Sequence, residues 1–106
     1  YELAKELQRD FPNNQIYTRY VSAIKINFGT ALARVGKGEE GIPLIMSSLD
    51  EFRQMVKTDP ENSEAKRDVA ECLQYLAFAY DASNQPDRAI EANRESLKIL
   101  EEITVK

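Results

Sequence analysis

The chain contains 106 residues, of which 42% are hydrophobic and 30% are charged, and its formal net charge at pH 7 is −4. This length suits one domain with a continuous core and excludes two separate globular units. The longest apolar run spans five residues, from Ile42 to Met46, whereas a transmembrane helix needs ~20, so a membrane is not an expected partner. No segment is basic enough to follow a phosphate backbone, so nucleic acid is not an expected partner either.

The sequence repeats itself, without a gap, at an offset of 48 residues. The identical pairs are Pro12/Pro60, Asn14/Asn62, Arg19/Arg67, Val21/Val69, Ala31/Ala79, Ile42/Ile90, Ser48/Ser96 and Leu49/Leu97. Apolar matches recur at the three- and four-residue steps of a helix. The chain therefore divides into the end of one repeat (1–11), a whole repeat (12–59) and a nearly whole second repeat (60–106). Its start at Tyr1, in what reads as the middle of a helix, suggests a fragment of a larger protein.

The predicted elements of the first repeat are two helices that follow a residual helix in 1–11. The first runs from Ile16 to Arg34 and ends at the turn 36–38, which contains two glycines. The second continues to Val56. Pro43 lies near its start, where a missing amide should delay the helix to Gly41 or kink it there.

The second repeat copies this arrangement after a connection at 57–63. Pro60 with Asn62 or Ser63 supplies the start signal for a helix from Glu64 to Ala82. A turn follows at 83–87, in which Asn84 can adopt the left-handed conformation, and the last helix begins near Asp87. The inward-facing residues of these two helices are predicted to be Ala65, Val69, Leu73, Leu76, Ala77 and Tyr80, then Ala89, Ile90, Ser96, Leu97, Leu100 and Ile103. The whole chain is thus expected to be all-α, with about five helices.

The pattern of large and small residues resembles the tetratricopeptide repeat. The matching positions are Lys25, Phe28-Gly29, Leu32, Gly36, Gly41, Ile45 and Ser48 in the first repeat, and Leu73, Leu76-Ala77, Tyr80, Asn84, Ala89, Asn93 and Ser96 in the second. Asp59-Pro60-Glu61-Asn62 is similar to the family's helix-joining motif. The family's repeat has about 34 residues, so each helix here is longer by about two turns. Such long-helix repeats resemble those of bacterial signalling proteins. Lys25 and Asn93 depart from the pattern because they are polar.

The resemblance implies a solenoid of antiparallel helix pairs whose first helices line a concave groove for a protein or peptide. Transferred by register, the partner-binding residues are Arg19, Ala23, Ile26, Thr30, Arg67, Glu71, Gln74, Phe78 and Asp81, with Ile16, Ala33 and Glu64 at matching positions. Ile26 and Phe78 are expected to be exposed among polar neighbours. The family's carboxylate clamp for chaperone tails is not matched, because Ile26, Thr30 and Tyr75 occupy its positions.

The two identical arginines of the groove are open to two interpretations. Arg67 has Glu64 and Glu71 at helical spacing and could simply pair with one of them. Arg19 has no carboxylate three or four residues away, which leaves a ligand open as its partner. Both could therefore grip successive acidic groups of one bound chain.

The residues that catalysis requires are largely missing. Histidine is absent and Cys72 is the single cysteine, so the usual zinc, iron and copper ligand sets cannot be assembled and no internal disulfide can form. Cys72 is predicted to be a small buried hydrophobe. Tyr20 and Tyr75 could stack on a ligand, but the carboxylate pairs, such as Glu39-Glu40, diverge by ~100° on a helix. No enzyme activity, cofactor or metal is therefore predicted, and the cytoplasm is the expected location.

The leading prediction is a protein-interaction module. One alternative is a scaffold that self-associates through exposed repeat ends, where Leu3 and Leu7 at one end and Ile99 and Ile103 at the other should be partly unburied. A second alternative is a regulatory segment attached to a catalytic domain, such as a kinase, outside this sequence.

Overall fold

The computed structural model describes residues 15–104, which form four α-helices. These are α1 (Gln15–Arg34), α2 (Gly38–Thr58), α3 (Ser63–Ala82) and α4 (Pro86–Thr104). Residues 15–104 contain no strand, which confirms the all-α prediction. The fifth helix predicted in 1–11, with Leu3 and Leu7, lies outside the described residues.

The first helix of each pair ends on the same hydrogen bonds. α1 ends where Gly36 adopts a φ of 84°, and α3 ends where Asn84 adopts a φ of 61°. The Lys37 amide then donates to the Leu32 carbonyl at 2.8 Å, and the Gln85 amide donates to the Tyr80 carbonyl at 2.8 Å. The left-handed residue reverses the chain and satisfies a carbonyl of the last turn.

The helix starts follow local chemistry, with one correction. The Asn62 side chain accepts from the Ala65 amide at 3.0 Å, as predicted, and Pro86 is the first residue of α4, where its missing amide costs nothing. The predicted late start at Gly41 is wrong, because α2 is helical without interruption from Gly38 to Thr58, and the alternative of a kink there stays a prediction. Pro43 is exposed, so solvent can reach the Glu39 carbonyl that lacks a partner amide there.

The helices pack as two antiparallel pairs. α1 packs on α2 and α3 packs on α4, while α3 also lies against both α1 and α2. No Cα atom of α4 lies within 8 Å of one in α1 or α2. Within each pair a serine of the second helix donates to a carbonyl of the first: Ser48 to Ser22 at 3.1 Å and Ser96 to Ala70 at 2.8 Å. These two bonds are related by the 48-residue offset, so the internal geometry of the pairs repeats with the sequence.

Small residues set the separation of the first pair. A Cβ atom on Gly29 would lie 2.6 Å from the carbonyl oxygen of Gly41, which no real side chain tolerates. The equivalent residues of the second pair are Ala77 and Ala89, both buried, so α3 and α4 pack around two methyl groups instead. The helix separation in the first pair therefore depends on these two glycines.

The predicted core of α3 is confirmed, because all six of its predicted inward residues are buried. On α4 the prediction holds for Ala89 and Ser96 but is wrong for Ile90 and Leu97, which are 52% and 60% exposed. No helix in residues 15–104 covers the outer side of α4, so these two side chains have nothing to pack against. Ile99 and Ile103 are half-buried, as predicted.

A buried polar cluster joins α1 to α2. Lys25 is only 7% exposed, and its Nζ lies 2.8 Å from Glu51 Oε1 and 3.0 Å from Ser47 Oγ. Ser22 donates its hydroxyl to the other carboxylate oxygen of Glu51. Lys25 thus occupies the apolar position of the repeat because Glu51 neutralises it there.

We expect this ion pair to be replaceable only as a pair. The counterparts of Lys25 and Glu51 in the second repeat are Leu73 and Ile99, and that of Ser22, which donates its hydroxyl to Glu51, is Ala70. Lys25→Leu with Glu51→Ile and Ser22→Ala should therefore stay within about 1 kcal/mol of the wild-type stability or exceed it. Lys25→Leu alone leaves the Glu51 carboxylate without its cation and should cost about 2 kcal/mol, because Glu51 keeps some exposure. Urea unfolding followed by circular dichroism measures all of these variants. A combined variant less stable than Lys25→Leu alone would contradict this account.

Candidate functional site: the cleft between α1 and α3

α1 and α3 lie side by side and run in the same direction. Near their first turns Arg19 reaches Glu64 and Asp68, and at their last turns the Arg34 guanidinium lies 5.5 Å from the ring centre of Phe78. Two adjoining depressions of about 430 and 540 Å³ follow this seam. The α1–α3 cleft is lined by Ile16, Arg19, Tyr20, Ala23, Ile26, Asn27, Thr30, Arg34, Phe52, Asp68, Glu71, Cys72, Gln74, Tyr75 and Phe78.

Most of the predicted partner-binding residues meet in this cleft. The seven that line it are Arg19, Ala23, Ile26, Thr30, Glu71, Gln74 and Phe78. Arg67 and Asp81 are exposed but do not belong to its lining. Whether any of these residues binds a partner stays a prediction.

The predicted exposure is wrong for Ile26 and confirmed for Phe78. Ile26 and Thr30 are 8% and 7% exposed, and Ala33 is 2% exposed, because this side of α1 is the one that α3 covers. Thr30 also donates its hydroxyl to the Ile26 carbonyl at 2.7 Å. Ile26 and Thr30 form the floor of the cleft, whereas Phe78, at 42% exposure, lies at its wall.

The exposed aromatic residues of the cleft were only partly visible in the sequence. Tyr20 and Tyr75 are 54% and 44% exposed and line the same depression. The sequence offered both as residues that could stack on a ligand, but neither was included among the partner-binding positions. Tyr20 lies four residues after Ile16, which is the spacing that would have placed it on the same helix side. Asn27 and Arg34 were likewise missed. The repeat register identifies equivalent positions along each helix, but it does not say how far apart neighbouring helices lie.

Arg19 is the main electrostatic link between the two helix pairs. Its guanidinium bonds to Glu64, and it also holds Asp68, with Nε 3.0 Å from Oδ2 and Nη2 donating to Oδ1 at 3.1 Å. The expectation that Arg19 is left for a ligand is therefore wrong. Its carboxylates come from α3, which a search three and four residues along α1 cannot find. Arg67 forms no ion pair in residues 15–104, so its predicted pairing with Glu64 or Glu71 is also wrong.

The pKa values of the linked groups follow from burial and charge. Burial raises the pKa of Asp68, Arg19 opposes this rise, and Glu71 and Glu64 add to it. Burial disfavours the charged form of Arg19, but the bonds and charges of Glu64 and Asp68 outweigh it and raise the pKa of the guanidinium. Burial also raises the pKa of the Cys72 thiol to about 12, so this sulfur is protonated at neutral pH.

Comparison of the chain with protein-family models, with curated proteins and with solved structures finds no match. Within the described part of the chain, no three histidine, cysteine, aspartate or glutamate side chains cluster as a metal site would require. None of the four described helices is long and apolar enough to cross a membrane. The α1–α3 cleft presents exposed aromatic side chains, a few charged groups and a shallow floor, all of which suit non-covalent contact.

Removing Arg19 should destabilise the fold in a pH-dependent way. A carboxyl group with a raised pKa in the folded protein holds its proton more tightly when folded, so its charge costs stability as the pH rises through that pKa. Arg19 offsets this cost for Asp68. Arg19→Ala should therefore lose about 1 kcal/mol near pH 7, and the loss should shrink toward about pH 3 as Asp68 takes up its proton.

Chemical unfolding at several pH values measures this effect. The matched control is Arg53→Ala, since Arg53 pairs with Glu95 where both side chains are 46% exposed. This control should cost less than about 0.5 kcal/mol at every pH. Equal losses for the two variants would show that Arg19 is an ordinary surface arginine.

Cys72 should react with a thiol reagent only when the protein unfolds. The Cys72 side chain is 0% exposed, so the reagent cannot reach the sulfur. The pKa of the thiol is about 12, so the reactive thiolate is scarcely populated at neutral pH. Labelling by Ellman's reagent should be slow in buffer and complete in concentrated urea. Asn93→Cys in a Cys72→Ala background places a thiol on the exposed side of α4 and should label at once. Comparable native rates for both proteins would contradict the buried placement.

Proposed function

We propose that this chain is a protein-interaction module in which the α1–α3 cleft binds a peptide or a peptide-like segment of a partner protein. The observation that carries this is a row of exposed apolar side chains along one cleft. Ile16 is 76% exposed, Tyr20 54%, Tyr75 44% and Phe78 42%. Single exposed apolar residues are ordinary, but several on one concave surface are typical of a binding site.

We further propose that the two helix pairs are units of a long-helix solenoid similar to tetratricopeptide repeats. The support is the recurrence of turns and serine bonds at the 48-residue offset. In such a stack the first helices of successive pairs share one concave side. The α1–α3 cleft occupies that side.

The charges of the cleft indicate what a bound peptide should carry. Arg19 is neutralised by Glu64 and Asp68, so it offers little to an acidic ligand. Arg34 is exposed, contacts Phe78 through its guanidinium and makes no ion pair in the described residues. We therefore propose a ligand with spaced aromatic or aliphatic residues and an acidic group that reaches Arg34 at the end of the cleft.

We assign the module no catalytic role. Its single thiol is buried and protonated, and the sequence has no histidine to act as a base. The lone cysteine also fits a cytoplasmic location, where disulfides are rare. Binding is the activity that the residues of the cleft can support.

Peptide selection tests the cleft directly. Peptides from a random library are selected on the wild-type chain, and their dissociation constants are then measured for Tyr75→Ser and Phe78→Ser. Each variant should weaken binding about tenfold, because each removes a large apolar contact. Both residues are already partly exposed, so folding should survive, as circular dichroism can verify.

The matched control is Phe28→Ser, since Phe28 is 53% exposed on α1 but does not line the cleft. Its affinity should stay within about twofold of the wild type. If Phe28→Ser abolishes binding while Tyr75→Ser and Phe78→Ser do not, the cleft is not the binding surface.

A further inference from the structure

A second apolar surface lies at the side of α3 and α4 that faces away from the first helix pair. The end face consists of Arg67, Ile90, Leu97 and Leu100, whose counterparts 48 residues earlier are Arg19, Ile42, Leu49 and Phe52. It shares no residue with the lining of the α1–α3 cleft.

In the first pair the equivalent surface is covered by α3. Leu49 is 3% exposed where Leu97 is 60% exposed, and Phe52 is 5% exposed where Leu100 is half-buried. Leu49 and Phe52 belong to the core cluster that also contains the buried residues of α3. Because the hydrogen bonds within the pairs recur at the 48-residue offset, the end face repeats a surface that already holds a helix elsewhere in this molecule.

The ion pairs of Arg19 indicate which side chains a helix bound at the end face must carry. Arg19 forms ion pairs with Glu64 and Asp68, whose carboxylates lie one helical turn apart on α3. Arg67 is exposed and has no ion pair in residues 15–104. An arginine at this position therefore forms its ion pairs only when a neighbouring helix places two carboxylates, four residues apart, beside it.

We propose that the end face binds an amphipathic helix of a partner protein that carries two carboxylates four residues apart, with apolar residues beside them. The carboxylates would hold Arg67 as Glu64 and Asp68 hold Arg19. The apolar side of the helix would cover Ile90 and Leu97. This interaction uses a different surface from the α1–α3 cleft and does not depend on the function proposed for it.

A second copy of the chain does not supply this chemistry. If copies stacked in the register of the repeat, the residues facing Arg67 would be the counterparts of Glu64 and Asp68, which are Ile16 and Tyr20. Neither carries a charge, so Arg67 would be desolvated without an acidic partner, which is unfavourable. A second copy in this register is therefore not the expected occupant.

The sequence of α3 itself provides a probe of the required chemistry. A fluorescent, hydrocarbon-stapled peptide copies Ser63–Ala82 with Cys72→Ala, and its neutral twin also carries Glu64→Gln and Asp68→Asn. Fluorescence anisotropy measures the binding of both peptides to the wild-type chain. The acidic peptide should bind about tenfold more tightly than its twin, and this advantage should fall as salt is added.

Variants of the chain locate the interaction. Arg67→Gln should remove the tenfold advantage of the acidic peptide, and Leu97→Ser should weaken both peptides, while the exposed Lys57→Gln on α2 changes the net charge equally and should alter neither. Loss of the advantage in Arg67→Gln but not in Lys57→Gln supports the proposal. An acidic peptide that binds Arg67→Gln as tightly as the wild type would overturn it.

Sedimentation of the chain alone tests whether a second copy of the chain binds the end face. A wild-type chain that remains monomeric supports a partner helix. Self-association that Leu97→Ser abolishes would show that a second copy occupies the end face and would overturn the proposal. Unchanged binding by Tyr75→Ser in the anisotropy assay separates this result from any effect in the α1–α3 cleft.

Discussion

The close approach of the two helices within each pair is the constraint on which the rest of this structure depends. In the first pair Gly29 and Gly41 leave no room for a Cβ atom, and Ser48 bonds across the contact to the Ser22 carbonyl. Ser96 makes the same bond to Ala70 in the second pair. A hydrogen bond from a buried hydroxyl resists sliding of the helices past each other, because an unpaired buried hydroxyl costs free energy. Each pair therefore has a defined register, and the surface it presents is defined with it.

The two pairs are joined mainly through α3, which lies against both α1 and α2. Cys72 and Leu73 of α3 are buried in the shared cluster with Ile45 and Leu49 of α2. Arg19 adds a charged link at the edge of this apolar contact. Since apolar burial supplies the larger and less directional part of the free energy, the arginine contributes orientation more than stability.

The same arrangement creates both candidate binding surfaces. Setting α1 beside α3 leaves a cleft whose floor is closed by Ile26 and whose walls keep Tyr75 and Phe78 exposed. Ending the described helices at α4 leaves Leu97 without the cover that Leu49 has. Both surfaces follow from the packing of two similar helix pairs, the first from the seam between the pairs and the second from the uncovered side of the second pair.

The fold was largely determined by the sequence, and the physical reason is that helices are made of local interactions. The helix period, the left-handed turn at Asn84 and the cap at Asn62 all depend on residues within about one turn of each other. The start of α2 was misjudged because the cost of Pro43 depends on its exposure to solvent, which the sequence alone does not state. Tertiary structure alone decided the partners of Arg19, the burial of Ile26 and the exposure of Leu97. Each of these depends on which helix lies opposite. The carboxylates that pair with Arg19, for example, are 45 and 49 positions away in the chain, beyond the reach of local helical spacing.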